Sequence, residues 1–358
     1  MLSKAGDALK SGRDTPARTR ANHLIDAAKQ MRAQRDELAG LLIHTIGKTW
    51  READGEVCEA IDFCESYARE AAGMFEAQQL GEAIGQRDEL SHQPRGVTLV
   101  EAPWQAPLAA GAGMAAAALV TGNPLLLCAT PPGAAVARRL GELFHAAGTS
   151  GEALQVLPAC DEQAIATLLG DPRLATVAGL DFNGEASLAS AAGRHGHGFL
   201  NTAIFSLAGV NATIVDASAD LDETVGKLRA AAFGFAGQDH GASRVAIVLD
   251  AVHDAFLERI VEATRALVVG DPAAALTEMG PVAHINAVER VAALIERGKA
   301  EARLALGSDP LAEPEPNLPL DAAPGERLVR PHVFSDVAPD HAIATQPCPS
   351  PLLAVMRA

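Results

Sequence analysis

The sequence predicts an α/β protein with two lobes, of which the first is built on a doubly wound parallel sheet. Three observations support this class. The chain has 358 residues, which is long for one small core and sufficient for two. Its composition, with 48% hydrophobic and 21% charged residues, is typical of a compact folded protein. From Pro94 onward, short apolar runs alternate with helical patterns, as in βαβ units.

The first part of the chain is predicted to be helical. Residues 17–46 place apolar side chains such as Leu24, Met31 and Leu42 at helical spacing, which predicts one long amphipathic helix. A second helix is predicted over about 52–78 by the same spacing.

The alternating part is predicted to form one doubly wound lobe from residue 94 to about 217. Its apolar runs are VTLVEA (97–102), PLLLCA (124–129), ALQVLPA (153–159), ATVAGLDF (175–182), AIFSLAG (203–209) and NATIVDA (211–217). The later elements are predicted as helices over 222–235, 252–268 and 284–303 and a strand over 243–249. The acidic, proline-rich stretch 307–326 is predicted to be a long exposed loop.

Composition and charge exclude several kinds of partner. A net charge of -16 leaves no basic field for nucleic acid or for an anionic membrane surface. The apolar window 106–120 is too short to span a membrane and predicts a buried, closely packed helix. The five cysteines show no CxxC pairing, which argues against a disulfide framework and a zinc site and favours a reducing cytoplasm. His195-Gly196-His197 lacks a third ligand at motif spacing, so no metal site is expected.

A series of motifs along nearly the whole chain resembles the aldehyde dehydrogenase superfamily, and within it the pyrroline-5-carboxylate (glutamate-semialdehyde) dehydrogenases. The motifs, in family order, are GEVCEAIDFCESYARE (55–70), RGVTLVEAPWQAPLA (95–109), GNPLLL (122–127), NATIVDASADLDETV (211–225), AAFGFAGQ (231–238), VGDP (269–272), MGPV (279–282) and VRPHVFSDVAPDHAIA (329–344). The resemblance implies an aldehyde-dehydrogenase-like fold. Residues 1–235 would hold the N-terminal helices and a Rossmann-like, NAD-binding-type domain, and residues 236–358 a truncated catalytic-type α/β domain. The resemblance stops shortly after PLLAV (351–355), so we expect either a clipped protein or a segment of a longer one.

The catalytic positions implied by the resemblance carry other residues here. The position of the family's nucleophilic cysteine holds His240, and that of its general-base glutamate holds Ser206. The asparagine that stabilises the oxyanion is replaced by Gln105, which keeps an amide donor on a longer side chain. An imidazole forms only labile adducts with a carbonyl, and a serine hydroxyl is no base near neutral pH. Covalent aldehyde oxidation is therefore not expected.

The implied cofactor positions have changed as well. The lysine and glutamate that hold the adenosine ribose in the family correspond to Cys128 and Pro131. The serine at the pyrophosphate corresponds to Glu185, whose carboxylate would repel a diphosphate. The glutamate at the nicotinamide ribose corresponds to Pro347. Because these residues are replaced, no cofactor is expected.

The residues that carry chemistry in the family are replaced, whereas its turns and core segments are kept. This pattern predicts an aldehyde-dehydrogenase-like protein without catalysis, with a structural or interaction role toward a protein partner such as an active relative. One alternative is an NAD(P)-dependent oxidoreductase acting on an aldehyde such as glutamate semialdehyde, with His240, Ser206 and Gln105 around the old pocket. Another is a small-molecule-binding module that uses the vacated nucleotide cleft. A hydrolase is disfavoured because no nucleophile elbow is present, and the oligomeric state is left open.

Overall fold

The computed structural model describes residues 1–81, 84–158, 160, 162–181, 202–207, 209–283, 285–307 and 327–358. These residues cluster into two compact units. Unit 1 contains the described residues of 1–41, 54–181 and 202–206, and unit 2 those of 42–53 and 207–358. The domain ranges expected from sequence, 1–235 and 236–358, stay a prediction. The compact units divide the chain differently, because residues 207–235 cluster with unit 2.

Four helices open the chain: α1 (Leu2–Asp14), α2 (Ala17–Ala33), α3 (Arg35–Ile46) and α4 (Trp50–Met74). The single helix predicted over 17–46 is wrong, because the backbone leaves helical geometry at Gln34 (φ -114°, ψ 23°). No glycine or proline marks this break, so apolar spacing alone could not locate it. The helix predicted over 52–78 is confirmed as α4, although residues 78–79 already belong to a short strand.

The sheet of unit 1 has the predicted doubly wound topology. Its strands are β3 (Val97–Ala102), β4 (Leu125–Ala129), β5 (Leu154–Pro158), β6 (Leu174–Asp181) and β7 (Thr202–Leu207). They lie in the order β5-β4-β3-β6-β7, and β3 pairs in parallel with both β4 and β6. The chain therefore reverses its direction of strand addition at β3. A short antiparallel pair, β1 (Gln78–Gln79) and β2 (Glu89–Leu90), lies outside this sheet.

Helices α5 (Ala109–Val120), α6 (Ala134–Ala146) and α7 (Glu162–Leu169) connect these strands. The predicted buried helix in the window 106–120 is confirmed as α5, most of whose residues are buried. A Cβ at Gly113 would lie 3.0 Å from the ring of Phe63, so glycine allows α5 to approach α4 closely.

The described residues form no helix that is long and apolar enough to cross a membrane.

Unit 2 has its own five-stranded sheet. Strands β8 (Asn211–Val215), β9 (Ser243–Val248), β10 (Arg303–Leu306), β11 (His332–Ser335) and β12 (Leu352–Arg357) lie in the order β10-β11-β12-β9-β8. Helices α8 (Leu221–Phe233), α9 (Asp250–Arg265), α10 (Ile285–Glu301) and α11 (Ala342–Thr345) complete the unit. The prediction of one lobe over 94–217 is wrong in its last strand, because β8 pairs with β9. A buried apolar strand fits either sheet, and its pairing is a long-range choice that local sequence does not record.

One disulfide, Cys128–Cys160, contradicts the sequence argument against disulfides. Cys128 lies in β4 and Cys160 follows β5, and these strands are parallel neighbours. The adjacent strand ends bring the two Cα atoms to 5.8 Å, within the range that a disulfide requires. The cysteines are separated by 32 positions in sequence, and only the strand order reveals their proximity.

Candidate functional site

The loop from Phe233 to Arg244 has an unusual backbone. Phe235 (φ 49°) and Ala236 (φ 53°) adopt left-handed geometry, and Gly237 (φ 65°) continues it. Left-handed geometry costs a non-glycine residue roughly 1–2 kcal/mol, so this loop must be held in place by its neighbours. At Gly237 a side chain is also excluded sterically, since a Cβ would lie 2.1 Å from the carbonyl oxygen of Ser350.

The first restraint on the loop comes from the first turn of α4. Glu52 accepts a hydrogen bond from the backbone N–H of Phe235 at 2.5 Å through Oε1, and one from the N–H of Thr49 at 2.9 Å through Oε2. The second contact is the glutamate half of a capping box, Thr49-x-x-Glu52, at the start of α4. The ammonium of Lys48 lies 4.9 Å from the centroid of the Phe235 ring. Sequence reasoning missed Glu52, although the T-x-x-E spacing was a signal for its capping role.

Gln238 provides the second restraint with a fully used, buried amide. Its Nε2 donates to the carbonyl oxygens of Phe235 at 2.9 Å and of Pro281 at 3.2 Å. Its Oε1 accepts from the N–H of Ala283 at 2.7 Å. The AGQ and MGPV motifs are therefore joined through one side chain, which gives a structural reason for keeping both.

Arg244 provides the third restraint. Its guanidinium donates to Ser350 at the carbonyl oxygen (2.6 Å) and at Oγ (3.2 Å), and also to the carbonyl oxygen of Gly237. Burial lowers the pKa of Arg244 to about 10, because the charged form loses its hydration. This cation stabilises backbone carbonyl groups on both sides of the close contact between Gly237 and Ser350.

The loop presents to solvent His240, the residue expected from the motifs at the position of the family nucleophile. Its side chain is 48% exposed, and Nδ1 lies 3.4 Å from Oδ1 of Asp239. That oxygen already accepts the N–H of Gly241 at 2.7 Å, so it serves the turn and is poorly placed to orient the imidazole. The backbone oxygen of His240 accepts from Nδ2 of Asn211 at 2.9 Å. The backbone of this position is fixed, whereas its side chain lacks the partner that an activated nucleophile needs.

In unit 1, Gln105 is the predicted site residue with available chemistry. It is only 5% exposed, and its Nε2 has no hydrogen-bond partner among the described residues. Thr130 Oγ1 is likewise buried and unpartnered within that part of the chain. These residues follow the parallel strands β3 and β4, so both lie at the carboxyl edge of the sheet. Ser206 is exposed in the outer strand β7, and its hydroxyl is no base near neutral pH.

The residues expected at the cofactor positions lack the side-chain groups that the resemblance implies for a dinucleotide. The sulfur of Cys128 is bonded to Cys160 and cannot replace a ribose-binding ammonium. Pro131 has no carboxylate or N–H to offer a ribose hydroxyl. Pro347 is exposed in unit 2 and is equally without a polar side chain. Glu185 lies outside the described residues, as do His195 and His197.

No group of three or more metal-binding side chains occurs in the described ranges. Gln105 Nε2 and Thr130 Oγ1 are buried at the carboxyl edge of the unit 1 sheet without a hydrogen-bond partner among the described residues. Cys128, expected at a ribose position, is held in a disulfide.

The motifs of this chain are shared with a known protein family. A model of the aldehyde dehydrogenase family matches residues 1–358. The chain belongs to the aldehyde dehydrogenase family. It is 33% identical over 363 residues to 1-pyrroline-5-carboxylate dehydrogenase of Geobacillus kaustophilus, covering all of this chain and 68% of that protein. The α/β fold and the resemblance inferred from the motifs are confirmed.

Solved structures of family members superpose closely on this chain. A variant of Thermus thermophilus 1-pyrroline-5-carboxylate dehydrogenase matches with a TM-score of 0.92 and 30% identity, over all of this chain and 68% of that one. Proline utilization A of Bdellovibrio bacteriovorus, inactivated by N-propargylglycine, matches with a TM-score of 0.92 and 31% identity. This chain spans 36% of that protein's length.

Proposed function

We propose that this aldehyde dehydrogenase family chain no longer carries out thiol-dependent aldehyde oxidation and serves a structural or interaction role. The observation that carries the proposal is the state of the loop around His240. Glu52, Gln238 and Arg244 hold the loop backbone in its left-handed shape, yet position 240 presents an exposed imidazole without an orienting base. The loop is thus kept as architecture, and the proposed partner is another protein, such as an active relative or another enzyme of proline catabolism.

The direct test combines cofactor binding with turnover. Isothermal titration of the purified chain with NAD and NADP would be run beside an assay on 1-pyrroline-5-carboxylate, with the Geobacillus kaustophilus relative as positive control. We expect neither heat nor turnover from this chain. Turnover well above a blank without protein would refute the proposal.

A thiol-restoring variant separates the loss of the nucleophile from the loss of the cofactor positions. In His240→Cys, the exposed loop position should react with an alkylating agent, because the backbone that presents it is unchanged. NAD-dependent oxidation should still be absent, because Cys128 and Pro131 offer no ribose ligands. Recovery of oxidation in this variant alone would show that the cofactor site is intact and contradict that part of the reasoning.

The alternative function is an NAD(P)-dependent oxidoreductase acting on an aldehyde such as glutamate semialdehyde. It is favoured by the similarity of this chain to 1-pyrroline-5-carboxylate dehydrogenase of Geobacillus kaustophilus. It is also favoured by the amide of Gln105, which has no partner among the described residues and could donate to an oxyanion. If an activity is found, Gln105→Leu should lower kcat by about 10²-fold or more, the size expected for one lost oxyanion donor. An unchanged rate in His240→Ala would exclude a role for the imidazole.

A third function is binding of a small molecule in the vacated cleft. It is favoured by the unpartnered buried atoms of Gln105 and Thr130 at the carboxyl edge of the unit 1 sheet. A ligand at 100 times its dissociation constant would add about 2.7 kcal/mol to stability. A thermal-shift screen of nucleotides and amino acids would detect it, and no shift across the screen would leave the structural role.

A further inference from the structure

Unit 1 contains a cavity of about 170 Å³ at the opposite edge of its sheet from Gln105 and Thr130. Helices α1 and α2 form one wall, and the residues that precede β4 and β5 form another, including Asn123 and Ser150. One water molecule needs only about 10–15 Å³ of such space, so this cavity has room for a small organic molecule. It is smaller than the roughly 300–1,000 Å³ of drug-sized ligand sites, which limits the ligand to the size of a simple metabolite.

The wall of the cavity holds a buried cation, Arg20, which is 8% exposed. Its Nε donates to the carbonyl oxygen of Val120 at 2.7 Å. Its Nη1 donates to the carbonyl oxygens of Gly12 (3.0 Å) and Thr15. These acceptors lie at the carboxyl ends of α1 and α5, where cations are favourable.

This capping role accounts for only part of the guanidinium. An arginine side chain has five N–H donors, and the three bonds above use Nε and Nη1. None of these three bonds uses the Nη2 group. The ring of Phe75 lies 5.0 Å from Cζ and holds the guanidinium plane. The guanidinium is therefore held in position, and the three bonds leave its two Nη2 donors unused.

The charge around the cavity favours an anion. None of its lining residues is acidic, although the whole chain has a net charge of -16. Burial lowers the pKa of Arg20, because the charged form loses part of its hydration. A bound anion would relieve this cost.

The other polar groups of the wall suit one carboxylate. Ser150 Oγ accepts the N–H of Ala153 at 3.1 Å and keeps its own proton to donate. The ring of His23 packs against Gly148, where a Cβ would lie 3.0 Å from the ring and the backbone φ is 104°. With one permanent cation in the wall, a monoanion is neutralised, whereas a phosphate dianion would keep an excess charge.

We propose that this cavity binds a small monocarboxylic acid, whose carboxylate accepts hydrogen bonds from Nη2 of Arg20. His23 and Ser150 form the polar remainder of the site. The site lies at the opposite edge of the unit 1 sheet from Gln105 and Thr130. Binding of its ligand therefore requires neither a dinucleotide nor turnover.

Isothermal titration in a buffer without chloride or phosphate tests the proposal, with acetate, L-lactate and pyruvate as probes. Inorganic phosphate tests the alternative source of oxyanion, and lactamide is the neutral control. We expect saturable binding of at least one carboxylate at about millimolar affinity, with phosphate at least about tenfold weaker and no heat from lactamide. No saturation by any of the three acids, or equal binding of phosphate, would overturn the proposal.

Variants locate the binding. Ser11 lies in α1 on the cavity wall, and Ser11→Leu should fill the space and weaken carboxylate binding at least about tenfold while Arg20 stays in place. Thr19→Leu is the matched control, because Thr19 is exposed on α2 and does not line the cavity. Arg20→Lys should also lose binding, since lysine lacks the planar fork. If Arg20→Lys fails to fold, Ser11→Leu decides, and wild-type affinity in a folded Ser11→Leu would refute the assignment.

Discussion

The clearest test of the loop architecture is the substitution Gly237→Ala. Two terms oppose an alanine there. The φ of 65° is left-handed, which costs an alanine roughly 1–2 kcal/mol. The new Cβ would also lie 2.1 Å from Ser350 O and 2.9 Å from Ala232 O, and both are backbone atoms. Forcing such a contact apart typically costs about 1–3 kcal/mol. The expected loss of unfolding free energy is therefore about 2–5 kcal/mol, a large part of a typical domain's stability.

Urea denaturation followed by tryptophan fluorescence can measure this loss within unit 2. The chain has two tryptophans, and Trp50 clusters with unit 2 whereas Trp104 clusters with unit 1. A Trp104→Phe background leaves the signal of Trp50, whose indole N–H donates to Ala273 O at 2.9 Å.

The control is Gly226→Ala, in the same unit. Gly226 lies inside α8 and a Cβ there would meet nothing within 4 Å. This substitution should raise stability by up to about 1 kcal/mol, because alanine favours helix. If Gly237→Ala lies within about 0.5 kcal/mol of wild type, the ordinary range of a neutral surface substitution, the steric reasoning is refuted.

Three further predictions concern single side chains. Glu52→Ala should lower stability by about 1–3 kcal/mol, because the N–H of Phe235 loses a charged acceptor; urea denaturation with no change would contradict this. Reduction of the Cys128–Cys160 disulfide with dithiothreitol should lower the free energy of unfolding by about 3–4 kcal/mol, the size expected for a loop of this length. The stability of a variant with alanine at both positions should not respond to the reductant. Equal stability of the wild type with and without reductant would show that the bond is not formed. Burial, and after it the charge of the adjacent glutamate, raises the pKa of Cys64 from 9.0 to about 12. The free energy of unfolding should therefore be unaffected below pH 9 and fall by up to about 1.4 kcal/mol per pH unit as the pH rises toward 12. Denaturation of Cys64→Ala at several pH values should lack this part of the decrease.

The fold was largely predictable because it is recorded in local patterns. The buried strand β4 is a continuous apolar run, β3 is mostly apolar, and α5 is rich in alanine and glycine. The assignment of β8 to the second sheet was not predictable, since pairing depends on residues far away in sequence. The Cys128–Cys160 bond was hidden for the same reason, because only the order of β4 and β5 brings the two residues together.

The candidate site was predictable in its identities and not in its environment. The motifs placed His240 and Gln105 at the positions of interest, and sequence alone could not show that one is exposed and the other buried with a free donor. Arg20 gave no signal at all, since an arginine near the start of a helix is normally a solvated surface residue. Its role depends on carbonyl groups at two helix ends, 100 positions apart in one case.

The discontinuous composition of unit 2 has a consequence for synthesis on the ribosome. Phe235 finds the carboxylate that holds it 183 positions earlier in the chain, at Glu52. The segment 42–53 therefore leaves the exit tunnel long before the rest of unit 2, whose strands β9 and β12 are translated much later. During this interval Lys48 and Trp50 lack their native contacts with Phe235 and Ala273. A nascent chain therefore passes through an interval in which most of unit 1 has emerged and β9 and β12 have not, and chaperones and proteases can reach segment 42–53 during that interval.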